Sequence, residues 1–540
     1  MASLARSPQK SVDAELQQLI AESHPSDRRL AGNAVGLRGV LFMIVTGAAP
    51  ITAMLFNVPV AVNGGGSAAP AAFLIATVAL TIFSVGYVAM ARRVTASGGF
   101  YSFISHGLGQ TVAAGAGLLI WLCYVAFIAA VLGVCGYFAH TTLLDFFSIN
   151  IPAWTVELFA LAVMSLLAWF HIELTANVLG VFLTCEVIAL AVFGIAVLLQ
   201  GGAHGLSAAP FDPTSIFSNS AAVKVFGATA AGVALFGAFW SWVGFEMAPN
   251  YAEESRAPKK LIGPATYISV IGLGILYTFI SYMFVTGWGQ LGSVQAVKEQ
   301  LTGALPSAFY PLTGKYVGVS LTDAFKVLIV TSSFACATAF YNTSARYAFS
   351  MARERLLPSS LSLTHRDHNS PHRASMVVTV MALLWIVGFT AADSSDLAAL
   401  TKLGTYVPLI GVLGILFVQG LASVAIIRYF LTTARDGFHW WRTLVAPVIG
   451  TMAMFTACYL LIANRAALSG AGGSFFIQAI PWAVLAVFLI GIAVGLYYRA
   501  MDVARHQSIG RVVFDSDGAI AVPPPVAAAS PEAAGAMVTS

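Results

Sequence analysis

Two interrupted apolar segments hold the residues best suited to chemistry. The first, GVLFMIVTGAAPITAMLFNVPV, carries Gly47 and Pro50 in mid-run, with Thr46 and Thr52 beside them and Ala48, Ala49 and Ile51 between. Proline removes one amide N–H and blocks a helical bond. Broken backbone at membrane depth persists only where it is buried in protein or lines a cavity. There, amides freed at a half-helix N-terminus can hold an anionic group such as a carboxylate. The second segment is GVALFGAFWSWVGFEMAPNYAEE. In it Gly237 and Gly244 flank Phe239, Trp240, Ser241 and Trp242, and Glu246 follows. Glycine weakens the helix, and the aromatics supply a broad flat surface for a substrate or a gate. Taken singly, each interruption also fits a plainer account: a proline kink, or aromatic packing beside a charge near the interface.

Two more features can move or hold charge. Glu186 lies in the middle of the run VFLTCEVIALAVF. A bare carboxylate there costs several kcal/mol, so it must be protonated, paired or hydrated. It suits a proton-coupling site or a structural acid facing other helices. Ser332, Ser333 and Thr338 give a polar stripe to another run. Their hydroxyls could line a cation site against the first segment or bond back to their own helix.

The elements that position these residues follow from composition. Of 540 residues, 58% are hydrophobic and 9% charged, against about 25% charged in a soluble protein. Lipid must therefore be the solvent. Apolar runs of about 20 residues, the length a spanning helix needs, occur at about 40–62, 69–91, 113–139, 152–170, 176–199 and 227–249. They continue at about 264–288, 320–350, 375–393, 403–430, 443–464 and 477–498. This predicts an all-α integral membrane protein of about twelve spanning helices. The two interrupted segments are the first and sixth, five helices apart. Transporters built from inverted repeats place broken helices at matching positions near the bilayer midplane, so the pair points to a transport site.

With the N-terminus inside, 21 of the 27 Lys and Arg fall in cytoplasmic loops and tails. That asymmetry predicts both termini on the cytoplasmic side, and it assigns the basic residues to orientation rather than to nucleic acid. Expected boundaries are a cytoplasmic tail at 1–38, a transporter domain at 39–500 and a largely disordered cytoplasmic tail at 501–540. Within the domain, helices 1–5 occupy about 40–199, helices 6–10 about 227–430, and two extra helices about 443–498. The five cysteines show no ligand spacing and read as small apolar packing residues. No metal cluster, cofactor motif or phosphate loop is visible, and no nucleophile–base pair lies at membrane depth, so neither an enzyme nor an ATP motor is expected. Gly64-Gly65-Gly66 reads as a flexible loop after the first run.

Four segments carry a family resemblance. They are VGLRGVLFMIVTGAAP, SGGFYSFISHGLG at 97–109, FWSWVGFEMAPNYAEESRAPKKLIGPA at 239–265 and SARYAFSMARERLLP at 344–358. In this order and spacing the chain resembles the amino acid–polyamine–organocation (APC) superfamily, in particular a bacterial-type amino acid permease. The resemblance implies a five-plus-five inverted repeat with two additional C-terminal helices, and alternating access. It also implies a small amino acid or amine substrate held by the broken helices, at Gly47, Ala48, Ala49, Pro50, Ile51 and Thr52, and at Phe239, Trp240, Ser241, Trp242 and Gly244. In antiporters of that superfamily the tryptophan matching Trp240 packs on substrate, and the acid matching Glu246 is implicated in gating. Many members carry Gly-x-Gly where this chain has Pro50-Ile51-Thr52, and some proton-coupled members carry a lysine near the position of Glu186.

The expected activity is secondary transport of an amino acid or small amine, proton-coupled or by exchange, in the cell (inner) membrane. Glu186, Glu246, Ser332 and Ser333 are the expected coupling or gating residues. A polyamine or organic-cation antiporter and a non-transporting membrane receptor are the alternatives. A channel is disfavoured because no filter segment or polar ring is evident.

Overall fold

The computed structural model describes residues 37–94, 98–169, 172–247, 258–365, 370–469, 474–511, 513–514 and 520–521. The expected N-terminal tail and the Ala/Pro-rich end of the chain lie outside the described residues. Every apolar run falls largely on helix, the sixth on α-helix only over Ala231–Trp240. The one β-pairing among the described residues joins Val513–Phe514 to Ile520–Ala521. Nine helices among the described residues are long and apolar enough to cross a bilayer, so the protein is an all-helical, multi-pass membrane protein.

One of the nine covers residues 44–91, a stretch of 48 residues. At about 1.5 Å per residue it is more than twice the roughly 30 Å of a hydrocarbon core. Gly66, at φ 59° and ψ −138°, breaks it. The first run is broken again within itself. Helix α1 (Leu37–Ala48) ends at Ala49, which sits in the left-handed region at φ 42° and ψ 74°. Helix α2 then starts at Pro50 and continues to Gly65, with a π-helical turn over Ala53–Asn57. Proline suits a first helical position because it has no N–H to leave unpaired. Residues 69–91 form α3 (Ala69–Ala91).

The remaining helices follow the apolar runs. Helix α4 (Phe100–Leu108) is short and amphipathic, α5 (Gln110–Phe147) is long and mostly buried, and α6 (Ala153–Leu167) is the shorter apolar helix of the fourth run. Glu186 lies on α7 (Ile172–Leu199). Helix α8 (Ser220–Phe226), just before the sixth run, and α9 (Ala231–Trp240), within it, belong to a helical pair that bends by 103°. Turns then carry the chain from Ser241 to Met247. Helix α10 is Pro258–Trp288, α11 and α12 are the short Gln290–Leu301 and Tyr310–Tyr316, and α13 is the 35-residue Val319–Arg353. The chain continues through α14 (His372–Ala392), α15 (Gly404–Thr432), α16 (Ala446–Asn464), α17 (Phe475–Met501) and α18 (Val503–Ser508).

Backbone contacts hold the first and sixth runs together along their length. A Cβ on Gly64 would lie 2.4 Å from the Ala234 amide nitrogen, and the Ala230 N–H donates to the Gly64 carbonyl at 2.7 Å. A Cβ on Gly237 would lie 2.7 Å from the Asn57 carbonyl oxygen. Gly64-Gly65-Gly66 is therefore not a flexible loop. Gly64 and Gly65 lie in helix, and their missing side chains let the two runs touch, as small residues do between membrane helices.

Beyond α17 the chain packs back on the bundle. The Ile509 side chain is fully buried, and its carbonyl accepts from Ser105 Oγ at 2.7 Å. The Gly510 N–H donates to Glu354 Oε2 at 2.8 Å. Residues 503–511 thus tie α4 to the end of α13. Burial, with Arg511 beside it, pushes the His106 imidazole on α4 from 6.5 down to about 4. An unfolded chain takes up that proton near pH 6.5, whereas the folded one resists until about pH 4. The docked arrangement therefore contributes stability above pH 6.5 that is lost as pH falls toward 4. His106→Gln should flatten that portion of the melting temperature–pH profile of the purified protein. An unchanged slope would show that His106 does not carry it.

Candidate functional site

The breaks in the first and sixth runs meet. A Cβ on Gly47 would lie 3.5 Å from Gly244 Cα, and one on Gly244 would lie 3.0 Å from the Gly47 carbonyl carbon. Gly244 has φ +119°, which a side chain rarely tolerates. The two glycines let one irregular backbone cross the other at van der Waals distance.

Neighbouring side chains satisfy the polar backbone that the first break exposes. Tyr277 Oη donates to the Ala48 carbonyl at 2.9 Å, and Cys336 Sγ donates to the Gly47 carbonyl at 3.0 Å. On the other side of the break, the Ile51 N–H donates to Glu186 Oε2 at 3.3 Å. Ser332 Oγ donates to the same oxygen at 2.8 Å. The N-cap position is Ala49, which has no side chain to cap with. Glu186 therefore caps α2 from another helix. A carboxylate is the suitable group, because a helix N-terminus carries partial positive charge. Ser333 instead donates to the Ile329 carbonyl of its own helix at 2.7 Å. Of the two serines, only Ser332 reaches Glu186.

Glu246 belongs to a second buried cluster. Its Oε1 accepts from Tyr124 Oη at 2.8 Å, its Oε2 accepts the Gly244 N–H at 3.1 Å, and its carbonyl accepts from Tyr87 Oη at 2.7 Å. Tyr124 stacks on Tyr347, with ring centroids 5.6 Å apart. Glu246 thus folds back over the broken end of its own run and joins it to α3 and α5.

Between these clusters lies a small cavity of about 20 Å³, room for about one water molecule in this conformation. Gly47, Ala48, Ala49 and Thr52 line one side, and Trp240 and Phe340 supply aromatic walls. Trp240 is held edge-on by Phe56 at 5.2 Å and stacks on Phe236 at 5.7 Å. Asn57, Val131, Val134 and Cys336 complete the lining, with Ala53 and Phe56. Several sequence-derived site residues do not line it. Trp242 is fully buried, donates to the Val270 carbonyl at 3.2 Å and packs on Tyr277. Ser241 Oγ donates to the Gly237 carbonyl at 2.9 Å. Pro50, Ile51, Phe239, Gly244 and Thr46 also lie outside the lining. Sequence reasoning missed Ala53, Phe56, Asn57, Val131, Val134, Phe340 and Cys336. Asn57 carried a signal, as the lone amide in the apolar stretch MLFNVPV. The others are ordinary apolar residues in their runs.

Four cysteines are buried, while Cys185 is exposed on the outer surface of α7. Among the described residues no group of three or more His, Cys, Asp and Glu could hold a metal ion.

Residues 36–485 match the amino acid permease family, and the chain belongs to that family. It is 24% identical to the branched-chain amino acid permease BcaP of Bacillus subtilis (strain 168), over 81% of this chain and 86% of that one. It is 26% identical to the methylthioribose transporter of the same organism, over 76% and 84%. An uncharacterized transporter of Rhizobium meliloti (strain 1021) is 28% identical over 60% of this chain, a match spanning 64% of that relative's length.

Proposed function

We propose that the protein is a secondary transporter that carries a small amino acid or amine across the cell (inner) membrane by alternating access. The observation that carries this reading is the crossing of two broken backbones, Gly47 against Gly244, beside a cavity that Gly47 and Trp240 line. A kink alone needs no partner. Two kinks that cross beside one cavity give it walls from separate helices, and such walls can part. The relatives support the reading: their names describe carriers of branched-chain amino acids and methylthioribose.

On this reading the chain crosses the membrane twelve times in a five-plus-five inverted repeat with two further helices, within the domain expected at 39–500 and with both tails cytoplasmic. The cavity holds the substrate. Glu186 carries the coupling proton, because it joins α7, α13 and the hinge of the first run. Gaining or losing a proton there changes the charge at the N-terminus of α2, and with it the strength of the cap. Glu246 and its tyrosines form a gate at the end of the site.

Uptake into proteoliposomes of a panel of labelled amino acids and amines tests the proposal. Saturable accumulation of at least one member, under a proton gradient or against internal unlabelled substrate, is the expected result. A panel without saturable uptake under either condition contradicts it.

A further inference from the structure

Two polar atoms of the cavity have no partner in the protein. Asn57 Oδ1 and Thr52 Oγ1 are both buried, at 4% and 7% residue exposure, and neither makes a hydrogen bond. Both residues line the cavity. A buried polar atom left unmade costs about 1–3 kcal/mol, which is tolerated where a ligand completes it.

The orientation of the Asn57 amide follows from its neighbours. Ser241 Oγ spends its single proton on the Gly237 carbonyl and can only accept from Asn57. The donor Nδ2 must face it, as the 3.0 Å contact shows. Oδ1 is thereby left as a fixed acceptor, suited to an N–H group of the substrate. Thr52 Oγ1 can donate or accept beside it.

The remainder of the lining is uncharged: Val131, Val134, Phe340, Phe56 and Trp240 give apolar walls, and among the described residues no charged side chain lines the cavity. Glu186 and Glu246, the acids nearest the breaks, are engaged by Ile51 and Ser332, and by Tyr124 and Gly244. A substrate with net positive charge would be desolvated there without a counter-charge, which is strongly unfavourable. A zwitterion brings its own compensation.

Building on the transporter reading above, we propose that Asn57 is a specificity-determining residue. Its Oδ1 accepts an N–H of the substrate ammonium group, and the site takes net-neutral, zwitterionic amino acids with small apolar side chains rather than diamines or cationic amino acids.

The test is competition for labelled L-valine with parent, Asn57→Leu and Asn57→Asp proteins in proteoliposomes. In the parent, excess L-isoleucine should compete while putrescine and L-lysine should not. Asn57→Leu keeps the bulk and loses the acceptor. Its KM for valine should rise roughly 10- to 100-fold, the effect of losing a hydrogen bond to a charged group, with the maximal rate less affected. Asn57→Asp adds a carboxylate and should let putrescine compete, a gain that misfolding cannot imitate. A parental KM in Asn57→Leu, equal competition by putrescine and valine in the parent, or parental selectivity in Asn57→Asp would each overturn the proposal. Equilibrium binding of labelled valine to purified protein separates the two readings. Binding that depends on Asn57 without any flux would sink transport and leave this assignment standing, whereas flux indifferent to Asn57 would do the reverse.

Discussion

Glu186→Gln should abolish uptake driven by a pH gradient while leaving exchange of internal for external substrate measurable. Both donors reach the same oxygen, so the glutamine carbonyl can take its place and accept from the Ile51 N–H and Ser332 Oγ together, and the break in the first run stays capped. Glutamine cannot take up or release a proton, and it places no negative charge at the N-terminus of α2. If proton movement at this carboxyl is what ties substrate flux to the gradient, the tie is lost and the carrier idles as an exchanger. Glu186→Leu should be more severe. It leaves the Ile51 amide and the Ser332 hydroxyl buried and unpaired, at about 1–3 kcal/mol each, so exchange and thermal stability should both fall. Uptake by Glu186→Gln with the parent's pH dependence would reduce Glu186 to the structural cap that the geometry already shows.

The second large effect is expected at the crossing of the two breaks. Gly244→Ala forces a side chain onto backbone at φ +119°, and its Cβ would lie 3.0 Å from the Gly47 carbonyl carbon and 3.2 Å from the Ala48 nitrogen. Backbone cannot swing aside as a side chain can. Strain of about 1–3 kcal/mol adds to overpacking of about 1–3 kcal/mol, applied where the two helices must move past each other. Transport normalised to membrane-inserted protein should drop to background, with a clear fall in melting temperature. Gly47→Ala makes the useful contrast. Its Cβ would meet the Met247 methyl at 2.1 Å, and a methionine end can rotate away, so its loss should be smaller. Parental uptake by Gly244→Ala, or a reversed order of the two variants, would show that the close crossing is incidental.

The sequence displayed the helices plainly, because hydropathy depends on composition along the chain, and the runs fell largely on helix. Breaks were also legible at Gly47, Pro50 and Gly244, residues whose own backbone chemistry disfavours helix, whereas Gly237 sits inside α9 and serves close packing. What the chain did not display is which side of each break faces the cavity. Trp240 and Trp242 are alike in sequence, yet two residues along a turning backbone send one to the cavity and the other against Tyr277. Ser332 and Ser333 part in the same way, one to Glu186 and one to its own helix. The partners of Glu186 come from runs more than a hundred residues distant, and no local pattern announces such a pairing. Gly64-Gly65-Gly66 looked like a loop because close helix packing and flexibility ask for the same residue.

The most direct test of the account is paired measurement of substrate uptake by parent and Trp240→Leu protein, reconstituted side by side at matched protein density. If the cavity between the broken helices is the transport site, the parent shows saturable uptake. Leucine, which removes the aromatic wall but keeps an apolar side chain, raises the apparent KM by about ten-fold or more, the scale of a lost aromatic contact and its buried area. Saturable uptake with the same KM in both proteins would place the substrate elsewhere and contradict the account.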